Sequence, residues 1–153
     1  MTFHLTSSAF RDGEMIPATY SADGADHSPP LAWSGQPPAT VSLALICDDP
    51  DAPRGTWVHW VLFNLPGDTR GLAEHTSPDG TLANGAHQGK NDFGKLGYGG
   101  PAPPRGKPHR YFFKLYALDA DLKLPAGATK DQLLKAMQGH VLAEARLMGQ
   151  YQR

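Results

Sequence analysis

The 153-residue sequence lacks features that define several common classes of protein. Cys47 is its only cysteine, so the chain can form neither an internal disulfide nor a cysteine-based metal cluster. Residues 1–11 show no basic start followed by an apolar stretch, and no apolar run is long enough to span a bilayer. These absences predict a cytoplasmic protein that is not embedded in a membrane.

The sequence also lacks an excess of charge of either sign. Its formal net charge is -1, and its lysines and arginines are spread along the chain without runs that alternate with aromatic residues. A polyanion therefore meets no general attractive field, and we expect no nucleic acid among the partners. Any anion site must be local.

The sequence motifs of the best-known hydrolases and nucleotide-binding proteins are missing as well. The chain contains no GxSxG nucleophile elbow, P-loop, GxGxxG or HExxH sequence. Asp49, His59 and His109 have the chemistry of metal ligands, but nothing in their spacing requires a metal. We expect no cofactor, and we rank a metal- or histidine-dependent hydrolase below a binding protein.

The residues that are present predict a globular, mainly β protein. Hydrophobic residues make up 40% of the chain and charged residues 19%, which are proportions that allow a packed core. The 17 glycines and 14 prolines lie between short apolar runs, as expected of strands joined by shaped loops. No repeat or linker divides the chain, so we expect one domain over residues 1–153.

Three apolar runs predict buried strands, at Val41 to Cys47, Trp57 to Leu65 and Arg110 to Leu118. In the second, simple alternation places Trp57, His59, Val61 and Phe63 on one face and Val58, Trp60 and Leu62 on the other. In the third it places His109, Tyr111, Phe113 and Leu115 together. Because both faces of the second run are apolar, layers should cover it on both sides.

Outside these runs, one long loop and one helix are predicted. Residues 67–108 are poor in apolar side chains, and a loop of that length in a compact domain is usually functional. A helix is expected from Lys130 to Gln138, with Thr129 and Gln132 forming a capping box and Gly139 ending it. Residues 140–150 fit a strand or a helix equally well.

One histidine on each of two apolar strands is the main indication of a site. His59 loses hydration among tryptophans and needs a partner, which Asp49 or Asp51 could supply from the turn after the first strand. Either histidine alone is more often a core residue bonded to a backbone carbonyl; together, beside proline-rich loops, His59 and His109 favour a small pocket. Asp49 and Asp51 could also be turn formers only, and Trp57 and Tyr111 packing residues only.

The segments DPDAP at 49–53, WVHW at 57–60 and GPAPPRGKPHRYFFKLYALD at 100–119 resemble the phosphatidylethanolamine-binding protein family. They are most similar to its short bacterial branch, often labelled Raf kinase inhibitor-like. The resemblance implies a large β-sheet packed against a smaller one, with few peripheral helices. It also implies that the segment 140–150 is a strand.

The resemblance further implies a pocket for a phosphate-like anion or a phospholipid headgroup. The matching ligand-binding positions are Asp49, Trp57, His59, Pro103, His109 and Tyr111, with Gly100 and Pro101 at the rim. Histidine N–H groups and a tyrosine hydroxyl can donate to phosphate oxygens, and Asp49 would orient a histidine and favour its charged form. A cis peptide near DPDAP is also implied, with Ala52-Pro53 as the candidate.

The function implied in this way is binding of a small anionic or phosphorylated ligand, with a regulatory role and without catalytic turnover. The alternative is an inhibitor of a kinase or protease that acts through surface contacts. Related bacterial members form homodimers, so we expect a homodimer here. Longer eukaryotic members continue into a C-terminal helix that these residues do not show, so their headgroup specificity is not carried over.

Overall fold

The computed structural model describes residues 2–153, so Met1, which belongs to the predicted domain, lies outside the described residues. The strands are β1 (His4–Thr6), β2 (Leu31–Ser34), β3 (Ser42–Asp49), β4 (Trp57–Pro66), β5 (Gly71–Leu72), β6 (His87–Gln88), β7 (His109–Leu118) and β8 (Val141–Tyr151). The helix α1 spans Lys130–Met137, and a single 3-10 turn spans Ala18–Tyr20. None of the helices in this part of the chain is long and apolar enough to cross a bilayer.

The strands form two antiparallel sheets. The larger sheet has the order β6-β4-β3-β7-β8, and the smaller has the order β1-β2-β5. All eight residues of the central strand β3 are buried. The mainly β fold, with a large sheet against a smaller one, is therefore confirmed, and so is the strand at the C-terminal segment, which pairs with β7 along its length.

Apolar residues cover the large sheet on both faces, as predicted for the second strand. The core between the two sheets, here called the inner core, contains Leu5, Trp33, Leu45, Trp60, Phe113 and Leu147 among others. The outer core lies between the large sheet and α1 and includes Ala44, Ile46, Val61, Phe63, Leu133 and Met137. Burial of these side chains contributes about 1.5–3 kcal/mol for each large one.

A β-bulge at His59 corrects the predicted faces of β4. Cys47 pairs with Trp60 and Asp48 pairs with Val58, so His59 is an extra residue without an opposite partner on β3. The bulge places His59 on the inner side with Trp60, whereas Val61 packs in the outer core. Simple alternation was wrong because it assumed an unbroken strand. In β7, where the pairing is regular from His109 to Ala117, the predicted face is confirmed.

The turn that joins β3 to β4 differs from its predicted form. No peptide bond among residues 2–153 is cis, so the expected cis bond at Ala52-Pro53 is wrong. The turn is closed by hydrogen bonds instead: the Asp51 N–H donates to Asp49 Oδ1 at 2.7 Å, and the Gly55 N–H donates to the Ala52 carbonyl at 3.1 Å. A trans peptide, the intrinsically favoured form even before proline, is compatible with both bonds.

The helix begins as predicted and ends one residue earlier. The Gln132 N–H donates to Thr129 Oγ1 at 3.3 Å, and the Thr129 N–H donates to Gln132 Oε1 at 3.0 Å, which completes the capping box. Gln138 is the C-terminal cap and is no longer helical. Gly139 follows with a φ of 81°, a conformation that glycine adopts at little cost.

We expect Thr129→Ala to lower the free energy of unfolding by about 1 kcal/mol, because it removes the acceptor for the first turn of α1. Urea denaturation followed by circular dichroism measures this change. Thr129→Ser is the matched control and should retain most of the stability, since its hydroxyl can form the same cap. Equal stability of the alanine and serine variants would contradict the proposed role of the cap.

Candidate functional site

The strand ends of β3 and β7 bring Asp49 and His109 together. His109 Nδ1 lies 2.7 Å from Asp49 Oδ2, and both side chains are almost completely buried. The second carboxylate oxygen, Oδ1, accepts the N–H of Asp51. A carboxylate oxygen accepts but does not donate, so Nδ1 of His109 carries the proton and its Nε2 is left free. From the sequence, Asp49 or Asp51 was considered as the partner of His59; that expectation is wrong, because Asp49 binds His109 instead.

His59, the bulge residue of β4, has a different partner. Its Nδ1 lies 2.6 Å from the carbonyl oxygen of Gly99, and the Gly99 N–H donates to the His59 carbonyl at 2.9 Å. Because a carbonyl only accepts, Nδ1 is the protonated nitrogen here as well. Burial lowers the pKa of His59, and the Gly99 carbonyl and nearby carboxylates oppose part of this shift. The backbone-carbonyl alternative weighed from the sequence therefore holds for His59 and not for His109.

Tyr111 lies beside His59 on the inner side of the large sheet. The two rings meet edge to face with their centroids 5.1 Å apart. The tyrosine is 1% exposed, and its buried hydroxyl has no hydrogen-bond partner among residues 2–153. Burial, and then the negative charge of Asp49, raise the pKa of Tyr111 well above its ordinary value. The Asp49 carboxylate lies close enough to the hydroxyl to add to this shift, but the contact does not meet the geometry of a hydrogen bond. The hydroxyl therefore keeps its proton and can donate it in a hydrogen bond.

These four polar side chains, of Asp49, His59, His109 and Tyr111, line a cavity of about 210 Å³. Most of the remaining wall is apolar and comes from the turn after β3, the start of β4 and two loops. The lining residues are Asp49, Ala52, Pro53, Trp57, His59, Phe93, Ala102, Pro103, Pro104, His109 and Tyr111. The cavity thus combines a small polar group of side chains with a largely apolar wall, which is typical of small-molecule sites.

Phe93 forms part of this wall and was missed by the sequence reasoning. Its ring meets Trp57 at 5.6 Å and His59 at 5.3 Å between centroids, edge to face in both cases. The buried Asn91 holds the loop in place, since its Oδ1 accepts the N–H groups of Phe93 and Lys95 and its Nδ2 donates to the Gly97 carbonyl. The available signal was an isolated phenylalanine, between Asp92 and Gly94, in a loop with few apolar residues.

Six of the eight ligand-binding positions expected from the family resemblance line the cavity: Asp49, Trp57, His59, Pro103, His109 and Tyr111. Gly100 and Pro101 do not. The Gly100 N–H donates to Asp26 Oδ1 at 2.7 Å, and the Pro101 carbonyl accepts the Ala22 N–H at 2.9 Å. Both residues are buried, and these two hydrogen bonds hold in place the loop that lines the cavity.

Asp51 lies outside the cavity, and its carboxylate makes an ion pair with Arg110. Its two oxygens accept from Arg110 Nε and Nη2, each at 2.9 Å, and these hydrogen bonds lower the pKa of Asp51 to about 2. Asp51 thus stabilises the turn through its side chain and through its backbone bond to Asp49.

The described residues contain no group of three or more histidine, cysteine or acidic side chains placed to hold a metal ion.

A larger depression of about 610 Å³ lies near the start of α1. Four of its polar side chains already have partners: Asn91 and Asp92 bond to backbone groups, Thr129 caps the helix and Lys130 pairs with Asp48. The other three, Thr56, Lys90 and Asp131, are exposed to solvent. Size alone therefore does not make it the better candidate. The smaller cavity contains the unpartnered hydroxyl of Tyr111 and is the candidate site.

Comparison with known proteins supports this assignment of fold. A sequence model of the phosphatidylethanolamine-binding proteins matches residues 6–152. The chain belongs to this family. It is 55% identical over 150 residues to a UPF0098 protein of Methanothermobacter thermautotrophicus, covering 98% of this chain and 99% of the relative. A UPF0098 protein of Aquifex aeolicus is 48% identical, with 96% and 86% covered.

Two solved structures of the family are similar over the whole fold. A Chlamydia trachomatis homologue of phosphatidylethanolamine-binding protein superposes with a TM-score of 0.91 at 44% identity, covering 99% of this chain and 98% of that one. E. coli YbcL, described as a new member of the mammalian phosphatidylethanolamine-binding protein family, gives 0.93 at 34% identity, covering 100% and 99%. The two-sheet architecture is thus shared with these two members of the family.

We expect Gly99→Ala to disturb the cavity wall, because an added Cβ would lie 2.5 and 2.7 Å from two ring atoms of Phe93. Overpacking of this kind costs about 1–3 kcal/mol of unfolding free energy. Urea denaturation measures the loss, and tryptophan fluorescence in a Trp33→Phe, Trp60→Phe background, which leaves Trp57 beside Phe93, should report the displaced ring. In a Phe93→Ala background the same substitution should cost less; an equal cost in both backgrounds would show that the clash with Phe93 is not responsible.

The lowered pKa of His59 predicts how stability depends on pH. The unfolded imidazole titrates near pH 6.5, so the unfolded chain binds this proton before the folded chain does as the pH falls. The contribution of His59 is fully present above about pH 6.5 and is lost as the pH decreases below it. His59→Gln should therefore weaken the loss of stability between about pH 6.5 and pH 5.

Two measurements check this pH dependence. Urea denaturation of the wild type and His59→Gln across that range gives the difference in slope, and glutamine keeps an N–H that can donate to Gly99. Proton NMR titration of the wild type gives the His59 midpoint directly. A midpoint at or above about pH 6.5 would contradict the burial argument.

Proposed function

We propose that this protein binds a small anionic or phosphorylated ligand in the 210 Å³ cavity and does not turn it over. The observation that carries the proposal is the buried hydroxyl of Tyr111, which has no partner within residues 2–153. An unsatisfied buried polar group costs about 1–3 kcal/mol. A ligand oxygen that accepts this hydrogen bond would relieve the cost.

The dimensions and wall of the cavity favour a compact polar group attached to an organic part. Its volume of about 210 Å³ is below the roughly 300–1,000 Å³ of pockets that enclose whole drug-sized ligands. Trp57 and Phe93, which are 37% and 41% exposed, lie at its edge and offer apolar contact. The family name supports a phosphorylated headgroup as the group that is bound.

Binding without turnover is supported by the lack of a suitable nucleophile in the wall. Among the described residues no serine, threonine or cysteine lines the cavity. Burial, and then the charges of Asp48 and Asp49, raise the pKa of the buried Cys47 well above its ordinary value, so its thiol does not ionise readily. A rival hydrolase would have to use His109 as a general base, oriented by Asp49.

A cytoplasmic location, a regulatory role and a homodimer are parts of the same proposal that rest on the sequence and on the family. An inhibitor that acts on a kinase or protease through surface contacts is the alternative. The cavity separates the two functions, because an inhibitor of that kind would not depend on His59, His109 or Tyr111.

Calorimetric titration with phosphate, phosphoethanolamine and short-chain headgroup analogues tests the proposal. We expect saturable binding by the wild type and a loss of about 5- to 30-fold in affinity for Tyr111→Phe, which removes one hydrogen bond to an anion. Tyr116→Phe is the matched control, since its hydroxyl lies on the opposite face of the same strand. It should bind like the wild type.

Three outcomes would contradict the proposal. The absence of binding by the wild type would contradict ligand binding and favour the alternative of an inhibitor that acts through surface contacts. Equal affinities for the wild type, Tyr111→Phe and a His59→Ala, His109→Ala double variant would place the ligand elsewhere. Hydrolysis of a generic phosphoester that requires His109 would refute the lack of turnover.

A further inference from the structure

One side of the cavity wall comes from residues 102–108, here called the wall loop, which contain neither a strand nor a helix. The wall loop contributes Ala102, Pro103 and Pro104 to the lining. Three of its residues are prolines, which have no N–H to donate. The wall loop therefore depends on hydrogen bonds from other segments to keep one position beside a ligand.

The hydrogen bonds that the structure gives to the wall loop within residues 2–153 all connect it to the two residues that follow β8. Arg153 Nη1 donates to the Pro103 carbonyl at 3.3 Å. Gln152 Nε2 donates to the Gly106 carbonyl at 2.5 Å, and the Gly106 N–H donates to the Arg153 carbonyl at 3.5 Å. The position of this part of the wall is therefore set by residues 152 and 153.

Arg153 is fixed in turn by Asp23. Its Nη2 lies 2.7 Å from Asp23 Oδ1 and its Nε lies 3.1 Å from Oδ2, so the two groups meet through two pairs of atoms. Asp23 Oδ2 also accepts from the hydroxyl of Tyr151, the last residue of β8, at 2.7 Å. The hydrogen bond from Arg153, and then the one from Tyr151, lower the pKa of Asp23, so its carboxylate is ionised at neutral pH.

The segment that contains Asp23 is also attached to the chain just before the wall loop. The Ala22 N–H donates to the Pro101 carbonyl at 2.9 Å, and the Gly100 N–H donates to Asp26 Oδ1 at 2.7 Å. Asp23 is thus held close to the point where the wall loop begins. The ion pair between Asp23 and Arg153 then connects this point to the far part of the same loop.

The charge of Arg153 also acts on the cavity. None of the described lining residues is a lysine or an arginine, and Asp49 is an acid. Burial and the charge of Asp49 raise the pKa of Tyr111, and the positive charge of Arg153 opposes part of this rise. A cation that lies just behind Pro103 favours an anion inside the cavity.

We propose that Arg153 is a positioning residue for the ligand of the cavity and determines which ligands fit. Its ion pair with Asp23 holds Pro103 and Pro104 in the wall and keeps the cavity at about 210 Å³, which favours a compact phosphorylated group over a bulky one. This inference rests on the proposed function and specifies how the same site selects its ligand. The side chains of Arg153 and Asp23 are 34% and 37% exposed, so the pair can open while the two sheets stay folded.

Trypsin cleavage of the folded protein tests the position of the wall loop without a ligand. Arg105 is exposed, and the bond between Arg105 and Gly106 lies inside the segment that Arg153 holds. We expect Arg153→Gln to increase the cleavage rate at this bond about 2- to 5-fold, the range for loss of a partly exposed ion pair. Mass spectrometry identifies the cleaved bond. Cleavage after the exposed Arg54, in the turn between β3 and β4, should not change.

Two further variants show whether the ion pair is responsible. Asp23→Asn breaks the same pair, so combining it with Arg153→Gln should raise the cleavage rate no further than the larger single effect. Arg146→Gln is the matched control, because Arg146 is an exposed arginine of β8 that lies 3.6 Å from Glu144 and packs on Phe112. It should be cleaved like the wild type. Multiplying effects in the double variant, or an unchanged rate for Arg153→Gln, would overturn the role of the pair.

Calorimetry with inorganic phosphate and phenyl phosphate tests the selection of ligands. We expect the wild type to prefer phosphate, and Arg153→Gln to reduce this preference about 2- to 5-fold, because the released wall loop leaves room for the ring. Arg153→Lys keeps the charge but not the planar fork, so it should reduce the preference less. Arg146→Gln should keep the wild-type preference.

The outcomes separate this inference from the proposed function. An equal loss of affinity for both anions in Arg153→Gln would be a general effect of charge or stability, and it would overturn the selection while leaving the cavity as an anion site. Failure of the wild type to bind either anion would instead overturn the proposed function and the selection with it. Trypsin cleavage would still report whether Arg153 positions the wall loop.

Discussion

The buried end of β3 carries two consecutive carboxylates that face opposite sides of the large sheet. On the inner side Asp49 accepts from His109 and from the backbone of the following turn. On the outer side Asp48 Oδ2 lies 2.8 Å from Lys130 of α1 and 3.4 Å from Lys114 of β7. A buried charge is tolerated only when it is paired. The two aspartates therefore fix the positions of the residues that bind them. The turn, the start of β7 and the start of α1 all depend on this strand end.

The candidate cavity follows from that arrangement. Because β7 pairs regularly with β3, fixing His109 on Asp49 also fixes Tyr111 two residues further along the same face. The bulge in β4 then turns His59 toward the tyrosine. Two histidines and one hydroxyl thus converge beside Asp49 in a wall that is otherwise apolar, although His59 comes from β4 and the other two from β7.

The sequence predicted the strands better than the bulge and the turn contacts that shape the site. Buried apolar runs identified β3, β4 and β7, because hydrophobic burial acts on every residue of a strand. The bulge at His59 could not be foreseen, since it depends on how β3 and β4 pair and not on either strand alone. The sequence offered Asp49 and Asp51 equally as partners of His59, but neither binds it. Asp49 binds His109, Asp51 binds Arg110, and His59 binds the Gly99 carbonyl.

Loop contributions to the site were the least predictable. Gly100 and Pro101 match the family rim in sequence, yet the bonds from Gly100 to Asp26 and from Ala22 to Pro101 turn them away from the cavity. Phe93 reaches the wall because Asn91 organises its loop through three hydrogen bonds. Such contacts depend on how the loops fold, so neither the periodicity nor the composition of the sequence predicts them.

The paired hydrogen bonds between His59 and Gly99 have a kinetic consequence for a ligand. These two hydrogen bonds attach the loop that contains Gly99 to β4, so this loop becomes ordered when the chain folds. A ligand then meets a wall that is already in place and loses little affinity to the cost of ordering it. Association should consist of a single step whose rate rises linearly with ligand concentration, and the residence time should distinguish strong ligands from weak ones.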